Sequence, residues 1–179
     1  MNFIKKYSLF DIYGYRYLRY LLSKIIMDHL AIMNPKWKLI PKILSWEKKI
    51  ESRRYMIKGA PRNKIQAWDI VYFKDAGKEV TASATVAKVL QFDNYTDEQL
   101  HEILNTYADA IAFHSPLDEV YLRAKPKKYC ILIFLKHPKK ITPFAIDKTW
   151  YGSACAWITV NDIKNIQFPN NWHFSDIKT

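Results

Sequence analysis

The sequence predicts an α+β fold, a small β-barrel or rolled mixed sheet with flanking helices. Six or seven short segments are apolar in the manner of strands, whereas only two segments carry the apolar spacing of a helix. The chain has 179 residues, 49% of them hydrophobic, which suits one domain with a proper core and excludes a disordered chain. We expect this domain at residues 28–168, after an N-terminal helical extension at 1–27 and before a polar tail at 169–179.

The strands are expected where β-branched, aromatic and other apolar residues cluster between turn residues. The turn signal at residues 75–78 joins two of these segments into a β-hairpin. Pro143 interrupts another segment and so predicts an edge strand or a bulge there. The expected strands are residues 28–34, 49–55, 69–74, 79–92, 129–136, 141–148 and 154–160.

The first helix of the domain is predicted just before the most charged stretch of the chain. Asn34 is a suitable N-cap and Pro35 a suitable first helical residue. Apolar residues then follow a helical period through residues 37–44. Pro41 lies inside this pattern, where it should either kink the helix or mark its true start.

The second helix has the clearest signal in the sequence. Thr96 and Gln99 have the spacing of a capping box, in which each side chain pairs with the other residue's backbone N–H. An apolar stripe follows over residues 100–111. The next segment, residues 112–128, contains two prolines and a basic patch, and we expect it to be irregular.

The N-terminal extension, residues 1–27, is rich in aromatic and basic side chains. An amphipathic helix is expected over about residues 9–27. The apolar run at residues 21–27 is short and is interrupted by Ser23 and Lys24, so it predicts neither a transmembrane segment nor a signal peptide. Three roles are open to this helix: packing on the domain, contacting a protein partner, or lying on an anionic surface.

The positive charge is concentrated in the first third of the chain. Of a net charge of +11, residues 1–58 hold 13 Lys and Arg but only 4 Asp and Glu. Such a distribution is typical of a surface that faces phosphate groups. The alternative is that the basic character only keeps the protein soluble, and composition does not decide between the two.

The charged residues are densest at the turn that joins the first helix to the strand 49–55. Lys48, Glu51, Arg53 and Arg54 follow one another there within seven positions. One interpretation is an edge strand whose exposed charges discourage pairing with other chains. The other is a cationic pocket with one internal carboxylate, suited to an anionic or nucleotide-like ligand.

The cysteines and histidines predict no metal site and no cofactor. Cys130 and Cys155 lie in apolar, strand-like runs without a CxxC spacing, as buried reduced thiols of a cytoplasmic protein do. The five histidines are scattered without the spacing of metal ligands.

The order and spacing of several segments resemble the ASCH family of PUA-like domains over residues 29–166. The resemblance implies a compact PUA-like β-barrel with a cleft beside the turn at 46–54. It also implies a ligand, RNA or a modified nucleotide. The segments that carry the resemblance are residues 35–37, 42–45, 47–53, 69–74, 89–92, 129–135 and 156–158.

One enzymatic branch of this resemblance consists of amidohydrolases that remove the acetyl group of N4-acetylcytidine with a Lys, a Thr and a Glu. Lys48 matches the Lys, whereas Glu51 stands at the position of the Thr, and the third residue has no counterpart that we can place. Trp46 stands where the family usually has a Gly. The sequence therefore favours a binding protein, with a hydrolase as the alternative.

The candidate site combines cations, one carboxylate and aromatic faces. Arg and Lys hold phosphates, and Glu51, surrounded by cations, is expected to stay ionised and to orient them or to bind the edge of a base. Lys48 and Glu51 are the catalytic candidates if the protein is an enzyme. A third alternative is an interaction module that binds a protein through residues 1–27. The predicted ligand-binding residues are Lys36, Trp37, Trp46, Lys48, Glu51, Arg53, Arg54, Lys74, Trp150 and Tyr151.

Overall fold

A computed structural model describes residues 26–169, and it confirms the predicted α+β fold. Within these residues, three α-helices and two short 3-10 turns, Pro35–Trp37 and Ile163–Ile166, accompany one six-stranded mixed sheet. The strands are β1 Asp28–Met33, β2 Ile50–Tyr55, β3 Ile70–Asp75, β4 Val80–Asp93, β5 Tyr129–Phe144 and β6 Trp157–Val160. The helices are α1 Leu39–Leu44, α2 Asp97–Ile111 and α3 Leu117–Ala124.

The strand order is β2-β5-β4-β3-β1-β6, so β2 and β6 form the two edges. Neighbouring strands are antiparallel except β1 and β3, which are parallel. The pairing of the two longest strands, β4 and β5, contains three register shifts. Because each bulge bends a strand and increases its twist, the sheet curls into a half-barrel. Because β2 lies at an edge of the sheet, the charged segment predicted at residues 49–55 is an edge strand.

The core occupies both faces of the sheet, as alternation along β5 shows. Ile131 and Ile133 belong to a cluster with Ile43 of α1, whereas Cys130 and Leu132 belong to a cluster that contains residues of α2. All four of these β5 residues have no exposed surface. The prediction of a strand that is apolar on both faces is confirmed, and its burial fixes α1 and α2 on opposite sides of β2 and β5.

Two helix starts follow from local chemistry. Lys38 has a left-handed backbone (φ 49°) that separates the 3-10 turn from α1, and Pro41 lies in the first turn of α1, where a missing N–H is tolerated. Of the two alternatives for Pro41, the start of the helix is thus confirmed. The capping box of Thr96 and Gln99 is also confirmed, with both reciprocal hydrogen bonds present.

Three expectations about secondary structure were wrong. The segment 112–128 is not irregular, because it contains α3, whose only buried residues are Val120 and Ala124, too few for a visible stripe. There is no separate strand at 141–148, since β5 continues to Phe144 across a left-handed residue, His137 (φ 51°). The last strand is shorter than expected and begins at Trp157.

The N-terminal helix predicted at about residues 9–27 lies almost wholly outside the described residues, as does most of the tail, and the predicted domain boundaries remain predictions. Among residues 26–169, no helix has both the length and the apolar character needed to cross a membrane.

Candidate functional site

A cavity of about 270 Å³ opens beside the edge strand β2. Its walls come from the end of β1, from β2, from α3 and from the segment that joins α2 to α3. The volume is close to the lower end of the range of about 300 to 1,000 Å³ that is usual for small-molecule sites. The most charged stretch of the sequence therefore borders a concave site.

Two ion pairs that share the carboxylate of Glu51 border this cavity. The Nζ atom of Lys48 lies 3.3 Å from Oε2 of Glu51, and the Nε atom of Arg53 lies 2.7 Å from Oε1 of the same carboxylate. Lys48 and Glu51 are each only 3% exposed. Glu51 and Arg53 lie two positions apart on β2, so the period of the strand places both side chains on one face of the sheet.

The ammonium group of Lys48 is held by the protein on every side. It donates hydrogen bonds to the carbonyl oxygens of Ile50 and Ile111, both at 2.9 Å, and it faces Glu51. Burial lowers the pKa of Lys48, and the charge of Glu51 opposes this shift. An ammonium has three N–H groups, and the two carbonyl oxygens occupy two of them, whereas Glu51 is an ion-pair partner at 3.3 Å. In this arrangement Lys48 orients Glu51 and is not free to act as a nucleophile.

Three side chains that line the cavity contain buried polar atoms without a hydrogen-bond partner among the residues described. Oε2 of Glu51 is one such atom, although it lies 3.3 Å from Lys48 in an ion pair. The others are Nε of Arg53, which is paired by charge with Glu51, and Nε and Nη2 of Arg54. Buried polar atoms without partners are rare in folded proteins and call for an explanation. A ligand in the cavity would supply one, since it could donate to Glu51 and accept from Arg54.

Aromatic rings line the cavity beside these charges. Trp37 stacks on His114 with ring centres 4.1 Å apart and planes 15° apart. Burial lowers the pKa of His114, and the nearby positive charge of Arg123 lowers it further. The guanidinium of Arg53 lies over the ring of Trp157, 5.2 Å from its centre, which holds this cation against the core.

Comparisons with known proteins name a fold. No protein-family model matches the sequence, and no curated protein matches it. The structure of ASCH from Zymomonas mobilis matches with 16% identity and a TM-score of 0.47, covering 68% of this chain and 73% of that chain. The fold is similar to that of ASCH.

Two further solved structures are similar to the chain. A mutant form of the ASCH protein from Zymomonas mobilis has 18% identity and a TM-score of 0.46, covering 65% of this chain and 73% of that chain. A protein from Enterococcus faecalis V583 has 13% identity and a TM-score of 0.43, covering 75% of this chain and 94% of that chain.

The fold brings half of the predicted ligand-binding residues together. Trp37, Lys48, Glu51, Arg53 and Arg54 all line the cavity. Four of the five follow one another within seven positions of the sequence, which is why their proximity was visible there.

The other five predicted residues do not line this cavity. Trp150 is 90% exposed, and Tyr151 packs against a cluster of buried residues around β6. Lys74 is buried within β3, and Lys36 is exposed in the 3-10 turn. Trp46 is 39% exposed and has a left-handed backbone (φ 64°), the conformation that explains why a Gly is expected in this turn.

Sequence reasoning did not include several cavity residues in the predicted site. Phe113 and His114 follow the left-handed residue Ala112, which ends α2 and turns the chain towards β2. Arg123 was visible only as part of a basic patch, since the exposed face of α3 was not recognised as helical. Within residues 26–169 no group of three or more His, Cys, Asp or Glu side chains could hold a metal ion.

Proposed function

We propose that this cavity binds a nucleotide, either free or as an unstacked nucleotide of an RNA strand. The observation that carries the proposal is the carboxylate of Glu51. It is buried and paired with Lys48 and Arg53, and its Oε2 atom has no hydrogen-bond partner in the described part of the chain. A carboxylate of this kind accepts hydrogen bonds from the N–H groups of a base edge.

The surroundings of Glu51 suit a flat ligand that carries negative charge. The stacked rings of Trp37 and His114 and the ring of Phe113 line the same cavity. Bases stack on aromatic side chains with about 1 to 3 kcal/mol each. Arg54 and Arg123 add positive charge, which favours a phosphorylated ligand over a neutral one.

A hydrolase acting on a modified nucleoside is the second candidate, because Lys48 and Glu51 are in contact beside the cavity. In that case Lys48 would have to lose two backbone acceptors before it could act as a base or a nucleophile. The carboxylate of Glu51 is engaged by two cations, Lys48 and Arg53, which occupy the group that would have to accept a proton. These partners favour binding over catalysis.

Titration calorimetry with nucleosides, their monophosphates and a short single-stranded RNA tests the proposal. Glu51→Gln removes the charge while keeping the shape, and we expect it to weaken binding by tenfold or more. Glu47→Gln is the matched control, because Glu47 lies in the same turn but is half exposed and pairs with Lys42. It should bind as the unaltered protein does.

A second variant protects the test against a loss of folding in Glu51→Gln. Trp37 is 39% exposed, so Trp37→Ala should fold and still lose the stacking contribution to binding. If no compound binds, or if both variants bind like the unaltered protein, the proposal is wrong. Chromatography of the same mixtures, with N4-acetylcytidine included, measures product formation. Formation of a product would identify a hydrolase.

A further inference from the structure

Glu51 and Arg54 lie three positions apart on β2, so the period of the strand places them on opposite faces, and they define two chemically different ends of the cavity. At one end lies the carboxylate of Glu51 with its free acceptor atom. At the other end the guanidinium of Arg54 lies over the ring of Phe113, 5.3 Å from its centre. His114 follows Phe113 in the chain, and the charge of Arg123 acts on His114. The second end therefore consists of hydrogen-bond donors and cations.

Part of the positive charge at this second end has no ion-pair partner. The charges of Arg123, Lys42 and Lys48 lower the pKa of His114, and that of Glu119 opposes them. Lys42 and Lys48 form ion pairs with Glu47 and Glu51. Glu51 already pairs with Lys48 and Arg53. Glu51 therefore does not pair with Arg54. No other carboxylate among residues 26–169 lies within ion-pair distance of Arg54.

The immediate neighbours of Arg54 do not supply an anion either. Its Nε and Nη2 atoms are buried and lack hydrogen-bond partners. The thiol of Cys130 interacts with this guanidinium, but burial raises the pKa of the thiol, and it stays neutral. The two buried nitrogen atoms of Arg54 thus have no negatively charged acceptor, which is unfavourable because they have lost their hydration.

We propose that Arg54, Arg123 and His114 form a phosphate subsite, so that the ligand is a nucleotide held by its phosphate at this end and by its base at Glu51. The inference rests on the proposed function and specifies its ligand. A planar guanidinium fork donates two parallel hydrogen bonds to phosphate oxygens, which Arg54 can do with the two atoms that now lack partners. The phosphate supplies the missing counter-charge.

The test compares each nucleoside with its 5′-monophosphate and its 3′-monophosphate. In the unaltered protein, one of the monophosphates should bind at least tenfold more tightly than the nucleoside. This ratio should fall towards one in Arg54→Gln and in Arg123→Gln. Arg62→Gln is the matched control, because Arg62 pairs with Asp93 and does not line the cavity, and it should keep the ratio.

A short RNA with and without a terminal phosphate distinguishes the two sources of the same group. If the terminal phosphate strengthens binding of the RNA as it does for the monophosphate, the subsite takes a strand end. If only the free monophosphate gains, the ligand is a free nucleotide. Both results support the subsite, because both depend on the phosphate group.

Inorganic phosphate gives a readout that does not need the nucleoside. By proton NMR, phosphate should raise the pKa of His114 in the unaltered protein and leave it unchanged in Arg123→Gln, whose exposed side chain can be replaced without loss of folding. If nucleosides bind through Glu51 but phosphate adds nothing, the subsite is wrong and the proposed function stands. If the phosphate advantage persists in both arginine variants, the subsite is likewise wrong. If nothing binds at all, both proposals fail.

Discussion

The indole Nε1 of Trp157, on the edge strand β6, donates a hydrogen bond of 3.2 Å to Nδ1 of His29 on the neighbouring strand β1. On the opposite side of the imidazole, Nε2 lies 3.1 Å from Oδ2 of Asp69. Because Nδ1 accepts, the proton of the neutral ring is on Nε2 and is donated to Asp69. Both His29 and Asp69 have no exposed surface. A second proton, on Nδ1, would place two N–H donors against each other.

This network predicts that the protein loses stability in mild acid. Burial lowers the pKa of His29 from its ordinary value of 6.5, and Asp69 opposes the shift. Between pH 6.5 and the lower native pKa, the unfolded chain therefore binds more protons than the folded one. The stabilising contribution of the neutral His29 should be complete above pH 6.5, and the free energy of unfolding should decrease as the pH falls below this value. Urea unfolding between pH 7.5 and 5 measures this change.

Histidine variants separate this contribution from others in the same range. His29→Gln should be less stable at pH 7.5 but should depend less on pH between 6.5 and 5. His101→Gln should keep the original pH dependence, because this exposed imidazole stacks on Tyr121 at the surface. An undiminished slope in His29→Gln would contradict the assignment.

The left-handed backbone of Trp46 predicts an unusual order of stability among its variants. At φ 64° a side chain with a Cβ is strained by about 1 kcal/mol or more, whereas Gly is not. Trp46→Gly should therefore unfold with a free energy about 1 kcal/mol higher than that of Trp46→Ala. Both variants lose the indole ring, so their difference reports the backbone alone.

Glu47 provides the comparison for this pair, because it is the next residue and does not have a positive φ. At Glu47 the order should be reversed, with Ala more stable than Gly by about 0.5 to 1 kcal/mol. Chemical denaturation of the four variants measures both differences. The same order at both positions would contradict the proposed backbone strain at Trp46.

The buried pair of Lys48 and Glu51 predicts a large loss of stability when one partner is removed. Lys48→Met leaves a buried carboxylate with one cation and should lower the free energy of unfolding by about 3 kcal/mol. It also removes the hydrogen bond that joins the end of α2 to the start of β2. The control is Lys42→Met, since the Lys42–Glu47 pair is more exposed and should contribute less than about 1 kcal/mol.

A double-mutant cycle isolates the interaction between the two buried charges. Lys48→Met combined with Glu51→Gln should be destabilised by at least about 1 kcal/mol less than the sum of the single variants, because neither member of the Lys48–Glu51 pair is then left charged without the other, whereas Arg53 loses its partner equally in the single and the double Glu51 variants. Additive effects would show that the pair contributes nothing beyond its separate side chains. Because substitution of Lys48 is expected to destabilise the fold, a loss of ligand binding in a Lys48 variant would not by itself identify a binding residue.

The capping box of α2 predicts opposite effects of one substitution at two positions. Thr96→Ala removes the side chain that accepts from the backbone N–H of Gln99, and it should lower the free energy of unfolding by about 1 kcal/mol. Thr106→Ala, on the exposed face inside the same helix, should be neutral or slightly stabilising because Ala has the higher helix propensity. Thermal or urea denaturation compares them, and equal losses would contradict the role of the cap.

The sequence by itself determined the features that depend on near neighbours in the chain. The capping box and the apolar stripe specified α2, and the run Ile131–Leu132–Ile133 specified a strand buried on both faces. The ion pairs of Glu51 were predictable as a cluster, since their partners lie three positions before it and two after it. Caps, helical periods and strand alternation depend on residues within about four positions of one another, so they can be predicted from the sequence.

Only the tertiary structure decided which of these side chains share a cavity and what state they are in. The order of the strands places β2 at an edge, where α3 and the end of α2 close over it and add Phe113, His114 and Arg123. Lys48 is fixed in place by a hydrogen bond to the carbonyl oxygen of Ile111, 63 residues away. Burial and long-range partners set the charge and reactivity of a group, and both depend on how the chain packs and not on its local pattern.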